Sequence, residues 1–181
     1  MVLFGSCFTT VQKIYIIPLG NVSEKSIAVV KKNIENFYHV EVIIDSPVAI
    51  SADILTKSKL RLDASKILKK FFSLRNTLIL TEQDIAHHNK ERGIEEWGIF
   101  GLGMRPGKVC VISTFRLKRN ATDQLFYERL AKVCIHEIGH NLGLPHCTFD
   151  KKCLMNDAHG TIKQVDEESF YFCEKCKEKL E

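Results

Sequence analysis

One stretch of this chain decides how the rest is interpreted: residues 136–146, HEIGHNLGLPH. On a helix, His136 and His140 lie one turn apart on the same face. Gly143 permits the left-handed turn that ends a helix, and the proline two residues later cannot continue one. The chain therefore changes direction after the second histidine, and this brings His146 toward the first two.

The spacing of these residues suits a zinc ion. Histidines four residues apart on a helix reach one ion at about 2.0–2.1 Å, and HExxHxxGxxH is the motif of the metzincin class of metallopeptidases. Three ligands, His136, His140 and His146, leave a fourth position for water, as in catalytic sites. Glu137 is then the expected general base. The other histidines lie in polar or mixed surroundings and are predicted to be solvated: His39, His87, His88 and His159.

Four cysteines follow at spacings that suit a second metal site. Cys147 directly follows the last histidine of the motif, Cys153 precedes Met155 by two residues, and the pair Cys173 and Cys176 comes after a seventeen-residue gap. Four thiolates form the closed tetrahedral set that structural zinc prefers. Two alternatives stay open: a redox dithiol at the CxxC pair, or two disulfides in an exported protein.

This order of motifs resembles that of the archaemetzincins. Their pattern continues the histidine motif with a cysteine, a Cys-x-Met element, a seventeen-residue gap and CxxC. The chain departs from it once, because five residues, 148–152, separate Cys147 from Cys153 where the family has four. The resemblance implies two zinc ions per chain, one catalytic and one structural, with Met155 as the Met-turn residue beneath the catalytic metal. His159 is the alternative ligand if the longer loop displaces Cys153.

The motif and the resemblance both predict a zinc-dependent metallopeptidase that acts on a peptide or protein. We expect Glu137 to take a proton from a zinc-bound water as that water attacks the peptide carbonyl, and to return the proton to the leaving amine. A zinc-stabilised binding or scaffold protein with a vestigial peptidase site is the alternative. The presence of Glu137 favours the enzyme, because a decayed site is free to lose its general base.

Length and composition fit one domain. With 181 residues and 45% hydrophobic content, the chain can bury a single core. We expect 1–143 to form an upper subdomain with the sheet and the active-site helix, and 144–181 a lower, zinc-stapled one. The charge of +4, from 26 basic and 22 acidic residues, is too balanced to indicate a nucleic-acid partner. No apolar run approaches transmembrane length, so we expect no membrane partner, and we expect a monomer.

The cysteines predict a reducing compartment. Beyond the four at the second metal site, three remain, Cys7, Cys110 and Cys134, and an odd remainder is poor material for a disulfide framework. We therefore expect a cytoplasmic protein. An exported lipoprotein modified at Cys7 is the alternative if the true start lies upstream.

Before the motif, strand-like and helix-like patterns alternate. Runs of β-branched and aromatic residues and helical spacing of apolar residues predict strands at 13–17, 40–44 and 77–81, and helices at 22–38 and 64–72. Asn21 and Glu24 resemble a capping box at the first helix. Residues 46–59 have no period and are predicted to form a loop.

A hairpin and a long helix follow. Residues 97–103 and 108–113 flank the turn-forming Arg-Pro-Gly at 105–107 and predict the hairpin, and a helix over 122–142 leads into the histidines. The order of elements predicts an α/β fold with a mixed, mostly parallel sheet and an antiparallel edge strand. By resemblance to the metzincins, 97–103 is the edge that binds an extended substrate. Its glycines also suit a bulge or close packing.

Overall fold

The computed structural model describes residues 11–180, which form two sheets and five α-helices. The strands are β1 (Lys13–Leu19), β2 (Glu41–Ile44), β3 (Leu62–Asp63), β4 (Thr77–Thr81), β5 (Ile85–Asn89), β6 (Ile94–Ile99), β7 (Gly101–Gly103) and β8 (Val109–Ser113). The helices are α1 (Glu24–Tyr38), α2 (Ala64–Lys70), α3 (Asp123–Asn141), α4 (Ile162–Glu167) and α5 (Glu174–Lys177).

The main sheet has the strand order β2-β1-β4-β8-β7. The first four strands are parallel, and β7 pairs antiparallel with β8 at the edge. The predicted fold class, with its mostly parallel sheet and antiparallel edge strand, is confirmed. Within residues 11–180, no helix is both long and apolar enough to cross a membrane.

A smaller sheet, in the order β3-β5-β6, was not predicted. Its β5–β6 hairpin contains the polar sequence His87-His88-Asn89, which interrupts the alternation of apolar and polar residues typical of a strand.

The predicted edge strand 97–103 is also divided, since Trp97–Ile99 belong to β6 and only Gly101–Gly103 form β7. Gly98 lies against the Arg116 guanidinium, where a Cβ would come within 2.0 Å of Cζ.

Several predicted boundaries shift by a few residues. The N-cap of α1 is Ser23, whose hydroxyl accepts a hydrogen bond from the Ser26 N–H at 3.2 Å, so the predicted capping box at Asn21 was wrong. Strand β1 continues through Pro18 to Leu19. The proline is tolerated because β2 ends opposite Ile16, and the chain beyond it uses the Pro18 carbonyl, which accepts from the Val48 N–H at 2.8 Å.

Helices α1 and α3 pack together on one face of the main sheet, and α2 covers the other face. Val30 and Ile34 of α1 are fully buried in the same core as Leu130 of α3. The Tyr38 hydroxyl, in that core, donates a hydrogen bond to the Ile135 carbonyl at 2.8 Å. This bond ties α1 to the turn of α3 that precedes the first histidine.

Replacing Tyr38 with phenylalanine should lower the free energy of unfolding by about 0.5–1.5 kcal/mol, the net value of one hydrogen bond. Urea denaturation measures this change. Tyr127→Phe is the control, because its hydroxyl makes no hydrogen bond within residues 11–180. Equal stability losses in the two variants would contradict a role for the Tyr38 hydroxyl.

Candidate active site and metal centres

The C-terminal turns of α3 carry the first part of the site. The helix begins at its N-cap Thr122, whose hydroxyl accepts from the Leu125 N–H at 3.3 Å, and it ends at Asn141. Gly143 has φ +99°, in the left-handed region predicted for it. The Leu144 N–H then donates to the Gly139 carbonyl at 3.0 Å, which closes the turn before His146.

The turn brings the three histidines of the motif together. One ring nitrogen of each lies within 4.8 Å of the others, and Nε2 of His140 is 3.3 Å from Nε2 of His146. Two nitrogens bound tetrahedrally to one zinc ion at about 2.0–2.1 Å would be roughly 3.3–3.4 Å apart. The nitrogen spacing therefore fits zinc.

Hydrogen bonds determine which nitrogen of each helical histidine is available. Nδ1 of His136 donates to the Leu154 carbonyl at 2.8 Å, and Nδ1 of His140 donates to the Leu144 carbonyl at 2.7 Å. A carbonyl oxygen only accepts, so both Nε2 atoms carry lone pairs. Burial lowers the pKa of His136 to about 3 and that of His140 to about 4, so both rings are neutral. Neutral imidazole is the form that binds a metal.

Glu137 lies between the histidines and the edge strand. It is 7% exposed, and burial raises its pKa to about 8, against the opposing effect of a hydrogen bond from the Gly103 N–H. A Cβ on Gly101 would come within 2.6 Å of Glu137 Oε1, and a Cβ on Gly103 within 2.6 Å of the Glu137 carbonyl oxygen. The two glycines therefore allow β7 to pack directly against the carboxylate.

The register of β7 decides which of its backbone groups face the cleft. The Ser113 N–H donates to the Phe100 carbonyl at 2.9 Å, and the Met104 N–H donates to the Val109 carbonyl at 3.2 Å. Because hydrogen-bonded and non-bonded pairs alternate, Leu102 bonds into the sheet. The N–H and carbonyl of Gly101 consequently point outward from the edge.

These groups line one cleft of about 790 Å³. Residues 100–103, on and just before β7, line it together with parts of the β5–β6 hairpin, α3 and the segment after the histidine motif. The three histidines and Glu137 all open into it. The cleft thus combines three imidazole nitrogens spaced for one metal ion, a buried carboxylate and the outer edge of β7.

The four cysteines after the motif form a separate buried cluster. Their Sγ atoms lie within 4.8 Å of one another, with 3.6 Å between Cys147 and Cys173 and 3.8 Å between Cys153 and Cys176. Sulfurs bound tetrahedrally to one zinc at about 2.3 Å would be about 3.8 Å apart. The cluster contains Cys153, whereas His159 is exposed on the wall of the cleft, so the longer loop does not displace the cysteine.

The chain is similar to known proteins along most of its length. The model of Peptidase family M54 matches residues 44–181. The archaemetzincin of Archaeoglobus fulgidus is 30% identical over 168 residues, which cover 93% of this chain and 98% of the relative. The chain belongs to the archaemetzincins, peptidase family M54. It is a zinc metallopeptidase.

Further archaemetzincins and solved structures agree with this assignment. The archaemetzincin of Haloarcula marismortui is 27% identical over 172 residues, covering 89% of this chain and 95% of the relative. The crystal structure of the Archaeoglobus fulgidus archaemetzincin complexed with malonate has a TM-score of 0.80 at 30% identity, covering 92% of this chain and 99% of that one. A zinc-dependent peptidase from Methanocorpusculum labreanum has a TM-score of 0.75 at 20% identity, covering 93% and 100%, and shows the shared fold alone.

In this archaemetzincin, Met155 lies directly beneath the helix that carries the histidines. A Cβ on Gly139 would come within 2.5 Å of Met155 Sδ and 3.2 Å of Phe172 Cζ. The Cys147 N–H donates to the Met155 carbonyl at 2.7 Å, so the methionine segment also contacts the cysteine cluster. This packing requires a small residue at position 139. No role was predicted for Gly139 from the sequence, although it lies inside the histidine motif.

Sequence reasoning missed several residues of the cleft wall. Asp157 lies 3.4 Å from Nδ1 of His146 and 3.3 Å from Nδ1 of His159, so it orients the third histidine of the motif. His159 and His88 are exposed as predicted, but His87 is half-buried and bonds Ser65 at 2.9 Å. All three of these histidines line the cleft. Their spacing along the sequence does not predict this position.

Gly139→Ala should lower the free energy of unfolding by about 1–3 kcal/mol, because overpacking against Met155 outweighs the gain of at most about 1 kcal/mol in helix propensity. Thermal and urea denaturation measure the change. A double-mutant cycle with Met155→Ala provides the control. If the contact is responsible, the two effects combine less than additively, and full additivity would contradict this explanation.

Proposed function

We propose that this cleft hydrolyses peptide bonds, with His136, His140 and His146 as the ligands of a catalytic zinc and Glu137 as the general base. The observation that carries the proposal is the convergence of three imidazole nitrogens beside one buried carboxylate in an open cleft. When bound, zinc would lower the pKa of a coordinated water and stabilise negative charge on the substrate carbonyl oxygen. Glu137 takes a proton from the attacking water and returns it to the leaving amine.

The substrate binds in extended form along β7 in this proposal. The outward N–H and carbonyl of Gly101 offer one donor and one acceptor to the main chain of a peptide, as in other cases of strand addition. Gly103 uses its N–H on Glu137, so the edge strand positions the base as well as the substrate. The contact between β7 and Glu137 supports placing the cleaved bond next to this strand.

A second, structural zinc held by Cys147, Cys153, Cys173 and Cys176 is also proposed. The sulfur spacing and the hydrogen bonds from the Phe149 and Cys173 N–H groups to Sγ, at 3.4 and 3.3 Å, support a thiolate cluster. A redox dithiol is disfavoured because the CxxC sulfurs are buried, with residue exposures of 8% and 2%, whereas reactive thiols need access.

We further propose that the protein acts as a cytoplasmic monomer. Within residues 11–180 the cysteines at 110, 134, 147, 153, 173 and 176 form no disulfide, which suits a reducing compartment. One chain supplies every group of the proposed site. Cys7, the position of the alternative lipid modification, lies outside the described residues.

Glu137→Gln should reduce peptide hydrolysis by roughly 10²–10⁴-fold, the usual contribution of a general acid/base, while the zinc content stays at the wild-type value. Rates on a diverse peptide mixture, read by mass spectrometry, and elemental analysis give the two quantities. Glu95→Gln, at an exposed glutamate paired with Lys57, is the control and should retain wild-type activity. Full activity of Glu137→Gln would remove this residue from the mechanism.

Mild chelation should remove one zinc and the activity before the second zinc leaves. The proposed catalytic site has three neutral ligands and opens to solvent, whereas four buried thiolates enclose the other ion and couple it to folding. Chelator titration with parallel elemental analysis, activity and circular dichroism measures the order of loss.

Cysteine variants provide the counterpart experiment. Cys176→Ser should lower zinc content, stability and activity together, since Cys147 of the same cluster is adjacent to His146. Cys134→Ser, at a buried thiol outside the cluster, should keep both zinc ions. A wild-type chain with one zinc, or a Cys176→Ser variant with two, contradicts the second site.

A further inference from the structure

One wall of the cleft contains two buried ionisable groups, one basic and one acidic, that take no part in the proposed chemistry. Lys132 and Val133 lie on α3 about one turn before His136, and Val165 and Glu168 lie on and just after α4. All four line the cleft, and together they are called the inner wall below. Their residue exposures are 3% for Lys132, 6% for Val133, 2% for Val165 and 6% for Glu168.

The charge of Lys132 is already satisfied. Its Nζ lies 2.7 Å from Glu128 Oε1, one turn away on α3, and donates to the Val165 carbonyl at 3.1 Å. Its side chain is 4% exposed. A buried ammonium with a carboxylate and a carbonyl as partners needs no further anion.

Glu168 is not satisfied in the same way. The hydrogen bond that its carboxylate accepts from Gln164 Nε2 is long, at 3.4 Å, and within residues 11–180 no basic side chain forms an ion pair with it. Burial raises its pKa to about 7, opposed by Gln164 and Lys132 and assisted by Asp157. A buried carboxylate without an ion-pair partner is costly to ionise, so a cation that enters the cleft beside Glu168 would stabilise its charged form.

The surroundings of this carboxylate define what would complement it. Val133 and Val165 present apolar surface along the same wall. Lysine and arginine side chains have apolar stems that pack on such surface and charged ends that bond carboxylates. A basic side chain entering beside the histidines would therefore pack on the apolar walls and pair with the Glu168 carboxylate.

We infer that Glu168 is a specificity-determining residue that receives a lysine or arginine side chain of the peptide next to the cleaved bond. This inference rests on the proposed function, because it assumes that a peptide lies in the cleft. It gives the peptidase a substrate class, peptides with a basic residue beside the scissile bond. Glu168 contacts the substrate side chain and takes no proton in the reaction.

The test compares matched substrates on the zinc-loaded protein. A peptide mixture first identifies a cleaved sequence, and the residues on either side of that bond are then varied between lysine and its uncharged analogue norleucine. The wild-type protein should favour lysine on one side by roughly tenfold to hundredfold in kcat/KM, the scale of a charge-assisted hydrogen bond. Glu168→Gln should bring that ratio close to one while norleucine peptides are still cleaved.

Two further variants make the result specific. Glu167→Gln removes an exposed neighbouring carboxylate paired with Lys163 and should keep the wild-type ratio. Glu168→Asp keeps the charge but shortens the side chain by one methylene group, so it should lower the ratio. This variant serves as the test if Glu168→Gln does not fold. A wild-type ratio near one, or a ratio unchanged in folded Glu168→Gln or Glu168→Asp, overturns the inference.

A binding measurement separates this inference from the proposed function. If no peptide is cleaved, the proposed function fails, and the role of Glu168 is then decided by dissociation constants for the zinc-loaded protein of one peptide from the mixture, made with lysine and with norleucine at the same positions. Tighter binding of the lysine peptide that Glu168→Gln abolishes supports it. Equal affinity for both peptides contradicts it.

Discussion

Two hydrogen bonds from histidine Nδ1 atoms to backbone carbonyls organise the whole site. They join His136 to Leu154 and His140 to Leu144, and thus tie the end of α3 to the chain that follows it. Both Nε2 atoms are thereby directed toward the cleft as lone-pair donors. The Leu154 N–H in turn donates to the Tyr171 carbonyl at 2.9 Å, close to the CxxC pair. We therefore expect a loosened cysteine cluster to disturb His136 through this short backbone path.

The cleft contains two buried carboxylates in different surroundings. Glu137 accepts a hydrogen bond from the edge strand and lies against two glycines that leave no room for another side chain. Glu168 directly follows α4, on the segment C-terminal to the histidine helix, and accepts one long hydrogen bond. The first environment suits a base that must be held still, and the second suits recognition of a cation supplied from outside.

The sheet could be predicted from sequence where its strands are buried on both faces. Residues 77–81 form β4 with the predicted bounds, because a short apolar run between polar segments is typical of a central parallel strand. The β5–β6 hairpin could not be predicted, since one of its faces is wet and carries His88 and Lys90. Residues 97–103 are divided between two sheets because the chain bends at Phe100. Tertiary contacts determine that bend, and the hydrophobic periodicity of the sequence does not mark it.

The sequence by itself determined the chemistry of this protein. The histidine and cysteine motifs are sets of neighbours along the chain, and helix and turn geometry convert such spacing directly into a ligand set. Only the tertiary structure decided what surrounds those ligands: the closeness of β7 to Glu137, the place of Asp157 beside His146, and the burial of Glu168 without a cation. These features depend on distances and solvent exclusion between segments far apart in the chain, and residue spacing carries no information about either.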